Sequence, residues 1–306
     1  MARHLTSRLG EGLIAIWGVV TVVFVVSRML GDPAVLLLPI GATEEQMREL
    51  RTQLGLDLPL LQQYLSFLLN AVTGDFGPSF QFGRPALTVV LERLPATAML
   101  AGSALAIGIL IGGLAGALAA IYRGSAIEAL VLLVALLGQA TPSFWLGIML
   151  ILVFAVQLGW VPTGGYGTWQ NLVLPAVTLA CFTTASIARL LRSSMLDVMR
   201  DDYVRTAHAK GLPPRRVFTW HVGRNSLIPV VTMTGILAGE LLGGAAVTET
   251  VFSWPGVGRL IVQAIETKDF PVVQAGVAVV ATIFVGINLL VDLLYTLIDP
   301  RIRQAS

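Results

Sequence analysis

Apolar positions along this chain fall in long unbroken blocks, where the facing stripes of a water-soluble helix would alternate with charge. A helix needs about 20 apolar residues to cross the hydrocarbon core of a bilayer. Six stretches reach or approach that length: Gly10 to Leu30, Ala96 to Ile121, Ala129 to Leu158, Leu172 to Ala188, Leu227 to Val247 and Val272 to Ile298. The fourth is short, but no charge stands between Glu128 and Arg189, and the neutral "GWVPTGGYGTWQN" (Gly159 to Asn171) divides that length into two helices and a turn. Trp160, Tyr166 and Trp169 in the turn suit a membrane interface. The pattern therefore predicts an all-α integral membrane protein with six transmembrane helices.

Composition agrees: 55% of the 306 residues are hydrophobic and only 12% are charged, half the share of an average soluble domain. Net charge is +2, so the placement of charge carries the information. With a cytoplasmic N-terminus the inner segments hold Arg3, Arg8, Arg123, the eight basic residues from Arg189 to Arg224, Arg301 and Arg303, thirteen of the twenty Lys and Arg. The positive-inside rule then puts both termini in the cytoplasm. Arg3, His4 and Arg8 before the run Leu13 to Val26 resemble the start of a signal peptide, but no small-residue cleavage site follows, which predicts a retained first helix. The single cysteine, Cys181, excludes an intrachain disulfide.

The division expected is 1–30 as cytoplasmic N-terminus and first span, 31–95 as a small external helical subdomain, and 96–306 as the core, with a cytoplasmic loop at about 189–226. In the external segment, Thr43 is placed to cap a helix with Glu45 or Gln46 in its first turn and Met47, Leu50 and Leu54 on one face. A second external segment, Thr248 to Phe270, breaks at "SWPG" before a short amphipathic helix.

The loop is the unusual part. It carries eight Lys or Arg against three Asp, and Leu196, Met199, Tyr203 and Ala207 recur at spacings that share one helical face. Gly211 then supplies a helix stop, and Pro213 and Pro214 end one helix and start another, which carries Val217, Phe218 and His221 on a common face to about Arg224; Pro229 marks the entry to the fifth span. Basic loops beside a bilayer often do no more than fix topology. Topology needs positive charge, but it does not need an apolar stripe, a glycine stop and a double proline in that order. A packed helical hairpin made for docking accounts for all of them.

"DDYVRTAHAKGLPPRRVFTWHVGRNSLIPVVT" (Asp201 to Thr232) resembles the cytoplasmic loop of ABC-importer permeases, the EAA motif. The triplet reads Arg205, Thr206, Ala207, with Gly211 four residues beyond Ala207 and Pro229 later than in the general pattern. Both departures resemble the dipeptide, oligopeptide and nickel importer branch. "GDFGPSFQFGRPALTVVLERLPAT" (Gly74 to Thr97), "TETVFSWPGVGRL" (Thr248 to Leu260) and "DLLYTLIDPRIR" (Asp292 to Arg303) resemble further signatures of that branch, and "GDPA" (Gly31 to Ala34) with the long first external loop resembles its B-type subunit.

The resemblance implies a type I importer fold in the plasma (inner) membrane of a bacterium. It also implies partners: a second, C-type permease as heterodimer, cytoplasmic ATPase subunits and an extracytoplasmic substrate-binding protein, with no nucleic acid. It assigns the loop to the ATPase as a coupling helix, with Met199, Tyr203 and Ala207 packing the hairpin or the groove, Asp202, Arg205 and Lys210 making polar contacts around Thr206, and Gly211 setting the turn. No cofactor belongs to this chain, ATP and magnesium being used by the partners. Neither Lys210 nor Lys268 follows a glycine, so no phosphate-binding loop G-x-x-x-x-G-K-[ST] is present.

The path for cargo is less legible. Glu240 lies near the middle of the fifth span, where a carboxylate costs roughly 2.5 to 3.5 kcal/mol on insertion scales and faces a bundle interior or water. It is either a path residue or one half of an intramembrane hydrogen bond. Gly239, Gly243 and Gly244 beside it suit close helix approach, and Asp292 suits a structural bond. Gln139, Thr141 and Ser143 flank a kink at Pro142, where they either line a path or satisfy backbone groups that the proline frees. Two other classes fit less well. An intramembrane enzyme finds no support in His4, His208 and His221, none of which pairs at metal-ligand spacing within a span, or in a G-x-S-x-G elbow, which is missing. A stand-alone secondary transporter would be expected to show repeated halves, and none is visible.

Overall fold

The computed structural model describes residues 2–29, 34, 38, 42–53 and 55–298. Leu54, Gly31 to Pro33 of "GDPA", and the C-terminal signature from Asp299 on lie outside the described residues. Among those described there is no strand, only an isolated bridge between Pro78 and Pro85. The helices are α1 (Ala2–Met29), α2 (Glu44–Gln53), α3 (Leu60–Thr73), α4 (Ala86–Ile121), α5 (Ala126–Ala140), α6 (Ser143–Leu150), α7 (Trp169–Val198), α8 (Asp202–Ala209), α9 (Pro214–Arg216), α10 (Arg224–Val251), α11 (Val257–Glu266) and α12 (Phe270–Ile298). Two π-helical turns, Ile151–Gln157 and Val217–Gly223, extend α6 and join α9 to α10.

Among the described residues five helices are long and apolar enough to cross a membrane, and a bent pair, α5 and the α6 arm to Gln157, broken by 105°, makes up the sixth stretch. The expected third span, Ala129 to Leu158 with a kink at Pro142, is thus a sharp elbow. Pro142 starts the break: it cannot donate a backbone hydrogen bond, and Thr141 before it is extended (φ −81°, ψ 125°). Thr141 Oγ1 donates back to the carbonyl of Leu137 at 2.7 Å, which also accepts from the Thr141 N–H at 3.0 Å. The second span is also longer than expected. It starts at Ala86, encloses Pro95, and at 36 residues measures about 54 Å, well beyond the hydrocarbon thickness.

The chain divides into two compact units. One comprises Ala98–Trp254 and the chain from Gly286, the other Ala2–Thr97 and Pro255–Val285. In the first unit α7 is central: 61% of its apolar window is buried, against 28% for Pro214–Gly243. Close approach to α7 is made by α4, through Gly108, Gly112 and Gly116. A Cβ on Gly112 would lie 2.7 Å from the carbonyl of Thr184, and one on Gly116 2.6 Å from that of Ala188, so only glycine admits the contact. The glycines expected to serve close approach were Gly239, Gly243 and Gly244; at Gly243 a Cβ would meet open space, and Gly239 is buried. Helix α5 is tied to α7 by charge. Arg192 donates through Nε (2.6 Å) and Nη2 to Glu128, whose other oxygen accepts from the Gly124 N–H at 2.6 Å.

The second unit forms its own core from Ala86, Val89 and Val90 of α4, Val257 and Leu260 of α11, and Val272 of α12, each buried. The amphipathic helix expected after "SWPG" is α11, and its first N–H donates to Thr97 Oγ1 at 2.8 Å. Phe24 of α1 packs on Tyr64 and Phe67 of α3, with ring centroids 5.4 and 5.2 Å apart. Helix α2 begins with the expected cap: Gln46 N–H donates to Thr43 Oγ1 (3.3 Å) and Thr43 N–H donates to Gln46 Oε1 (3.0 Å), a reciprocal capping box. Thr43→Ala removes one half of it and is expected to destabilise α2 locally by about 1 kcal/mol. Hydrogen exchange of the α2 amides would report this, as roughly fivefold faster exchange there with α3 unchanged.

Candidate coupling element and translocation cavity

The basic loop folds as a short helix, a tight turn and a second helix, but its register differs from the sequence expectation. Helix α7 ends at Val198, with Met199 as its C-cap, and Asp201 is extended (φ −66°, ψ 146°) before α8 starts. Leu196, Met199, Tyr203 and Ala207 therefore do not share one continuous face. The break resets the phase, so that Val204 and Ala207 of α8 are buried and Tyr203 is 40% exposed. Val204 was missed. Its signal was available as the only aliphatic side chain larger than alanine in "DYVRTAHA".

Val204 and Ala207 join one apolar cluster with Leu191 and Met195 of α7 and with Val217 and Val222 of the π-helical turn. Residues five apart would lie about 140° apart around an α-helix; the wider π turn brings Val217 and Val222 to the same side. Tyr203 closes the other edge of the hairpin. Its hydroxyl donates to the carbonyl of His221 at 3.3 Å and accepts from Asn225 Nδ2 at 2.8 Å.

The turn is a full Schellman motif. Gly211 takes φ +74°, its N–H donates to the carbonyl of His208 (2.9 Å), and the Leu212 N–H donates to the carbonyl of Ala207 (3.3 Å). Leu212 then packs against the same apolar cluster. Pro213 caps the next helix and Pro214 is its first residue, both at positions where a missing N–H costs nothing. That helix does not end near Arg224, nor does Pro229 begin the next span: α9, the π turn and α10 run on without a break, with Pro229 inside α10.

What remains outside the cluster is an exposed polar face. Asp202, Arg205, Thr206 and Lys210 are all exposed, with Arg205 Nη1 3.4 Å from Asp202 Oδ1 and Thr206 Oγ1 donating to the carbonyl of Asp202. Of the residues singled out from sequence, Asp202, Tyr203, Arg205, Thr206 and Lys210 thus present themselves outward, while Ala207 and Gly211 shape and seat the hairpin.

The other singled-out group is only partly brought together. Glu240 of α10 and Ser143 at the elbow line one cavity of about 280 Å³, with Thr141, Thr178, Phe182 and Thr183. Gln139, half-buried on α5, is not on its wall. Sequence reading gave no sign of Thr178, Phe182 and Thr183, because no charge marks a face of α7 before Arg189 and its phase relative to α10 is a tertiary fact.

Comparisons with known proteins agree with this architecture. Residues 108–304 match the family described as "Binding-protein-dependent transport system inner membrane component", and residues 1–101 match its N-terminal companion. A Brucella abortus (strain 2308) protein named as a peptide transport system permease is 41% identical over 99% of both chains. The glutathione transport system permease protein GsiC of Escherichia coli (strain K12) is 43% identical over 95% of this chain and 96% of its own. Among solved structures, a chain of the MetNI methionine ABC transporter in an inward-facing conformation superposes with a TM-score of 0.57 at 17% identity, over 69% of this chain and 96% of its own. A chain of an amino acid ABC transporter gives 0.52 at 18%, over 70% and 94%. These two establish the fold. Family match, full-length relatives and fold together place this chain among the inner membrane components of binding-protein-dependent transport systems: it is a multi-pass permease subunit of an ABC importer and not an enzyme.

Proposed function

We propose that this chain, as the B-type subunit, forms half of the translocation path of an ATP-driven importer for di- or oligopeptides or a closely related small solute. The other half is a C-type permease, and the cargo arrives on an extracytoplasmic binding protein. The relatives named for peptide and glutathione transport support the cargo class. Cytoplasmic ATPase subunits use the ATP and magnesium, and both termini of this chain face them. The segment 31–95 then stands on the outer side, where the binding protein docks.

One observation carries the reading. Helix α8 is a rigid knob whose inner face is fused to α7 and the α10 arm through the apolar cluster around Val204 and Ala207, while its outer face, Asp202, Arg205, Thr206 and Lys210, is free for a partner. A groove that closes on that face displaces the knob as a body, and the two long helices follow it, the mechanical form of a two-state element biased from two sites. Packed side chains transmit the displacement because a core at crystal-like density does not absorb it.

The test is uptake. Vesicles carrying this chain with its partner subunits and binding protein are expected to accumulate radiolabelled dipeptide only with ATP, to lose that uptake when the ATPase partner is inactivated, and to keep it when the proton gradient is collapsed. Uptake that follows the proton gradient and ignores the ATPase would overturn the reading in favour of a secondary transporter.

A further inference from the structure

The cavity beside the elbow has a chemical polarity that its residue types alone do not show. Three of its hydroxyls have already donated their hydrogens to helix carbonyls: Thr141 to Leu137 (2.7 Å), Thr178 to Leu174 (2.8 Å) and Thr183 to Ala180 (2.9 Å). Each hydroxyl has a single hydrogen, so these three offer the cavity lone pairs only. When ionised, Glu240 is also acceptor-only. Ser143 alone among the polar side chains of the wall keeps a hydrogen to give, and no Lys, Arg or His lines the cavity. Phe182 adds an aromatic ring to the same wall, and ring faces attract ammonium groups.

Side chains that accept but scarcely donate, with one carboxylate and no cation, disfavour carboxylates and carbonyl oxygens and hold groups rich in N–H. We infer that the Glu240 cavity is a subsite for a protonated amine, and, resting on the import reading above, that it receives the α-ammonium group of the peptide as it passes. The preference follows from complementarity at both levels: the charge of Glu240 sets the sign, and the back-bonded threonines supply the remaining acceptors for an ammonium's three hydrogens. At about 280 Å³ the space admits an ammonium with its adjoining residue, which makes the cavity a sieve for one end of the cargo.

Charge-selective labelling tests this in the assembled importer. Starting from Cys181→Ser, which removes the native thiol, Ser143→Cys is expected to react about tenfold faster with a cationic trimethylammonium methanethiosulfonate than with the anionic sulfonate reagent, after each is scaled to free thiol. Adding Glu240→Gln should bring that ratio close to one, while Glu240→Asp should retain most of it. L-alanyl-L-alanine should slow the cationic reagent at least about threefold, and its N-acetyl derivative should leave it unchanged. No charge preference, a preference that survives Glu240→Gln, a thiol that neither reagent reaches, or equal effects of the two peptides would each overturn the inference. Failure of the peptide reading itself looks different: the wild-type importer would take up no peptide in the vesicle assay, whatever its cavity prefers.

Discussion

Gly211→Pro is expected to reduce ATP-driven uptake about 100-fold while leaving the protein in the membrane at near-normal abundance. The hairpin turn needs φ +74° at this position and a donor N–H to the carbonyl of His208. Proline is fixed near −65° and has no N–H, a combined cost of about 3 kcal/mol or more against the native turn, or roughly two decades in its population. Space is not the issue, because a Cβ on Gly211 would meet nothing within 4 Å. Gly211→Ala therefore suffers only the left-handed strain of about 1 kcal/mol, and Gly211→Asn, which tolerates that conformation, less still. Uptake in the order Gly, Asn, Ala, Pro, with membrane insertion constant, is the signature of a shaped coupling turn. A proline variant that transports normally would remove the hairpin from the mechanism.

The largest loss of stability is expected from Asp269→Ala in the second unit. Asp269 is 1% exposed, and its carboxylate accepts from Ser79 Oγ and from the backbone N–H groups of Phe80 (3.1 Å) and Gln81 (3.2 Å). Ser79 Oγ accepts in turn from the Phe82 N–H at 3.0 Å. One side chain thus organises the whole turn of "PSFQFG" against the loop that leads into α12. Removing it leaves the buried Ser79 hydroxyl and two partly buried backbone N–H groups without their acceptor, at a cost of about 3 kcal/mol. Asp269→Asn keeps the shape and one acceptor oxygen and should lose roughly half as much. Thermal unfolding of the purified importer subunit in detergent would rank the two variants. Equal midpoints for wild type and Asp269→Ala would show that the clip contributes nothing.

Much of this protein was legible in one dimension. Lengths of apolar sequence are tied to bilayer thickness by the rise of a helix, so the spans could be counted before they were seen. Thr43 with Gln46, "SWPG" before α11, and Gly211 with Pro213 and Pro214 were legible for a related reason. Each acts on backbone only a few residues away, through a cap, a missing N–H or a left-handed φ. Asp202, Arg205 and Lys210, read from the surrounding motif as polar contacts to an ATPase, all lie exposed.

What failed was phase. Carrying one helical period from Leu196 through to Ala207 put Tyr203 on the packed face, because nothing in "LDVMRDDY" announces that α7 stops and α8 starts afresh. Pro142 was read as a kink where it makes a 105° elbow, and Pro229 as a boundary where α10 runs straight through it. A proline's steric effect is local, but whether the helix bends, breaks or continues is settled by what packs against each side.

The sequence by itself determined the solvent this chain lives in, its long helices and the turn at Gly211, since these depend on hydrophobic length and on interactions within a few residues of one another. Only the tertiary structure decided that Glu240 shares a wall with the back-bonded Thr141, Thr178 and Thr183, that Arg192 answers Glu128, and that Asp269 holds the turn at Ser79, residues 190 positions apart in the chain. Pairings at that distance are fixed by the relative rotation of whole helices, and that rotation depends on the sum of many small packing contacts, none of which leaves a mark on local sequence.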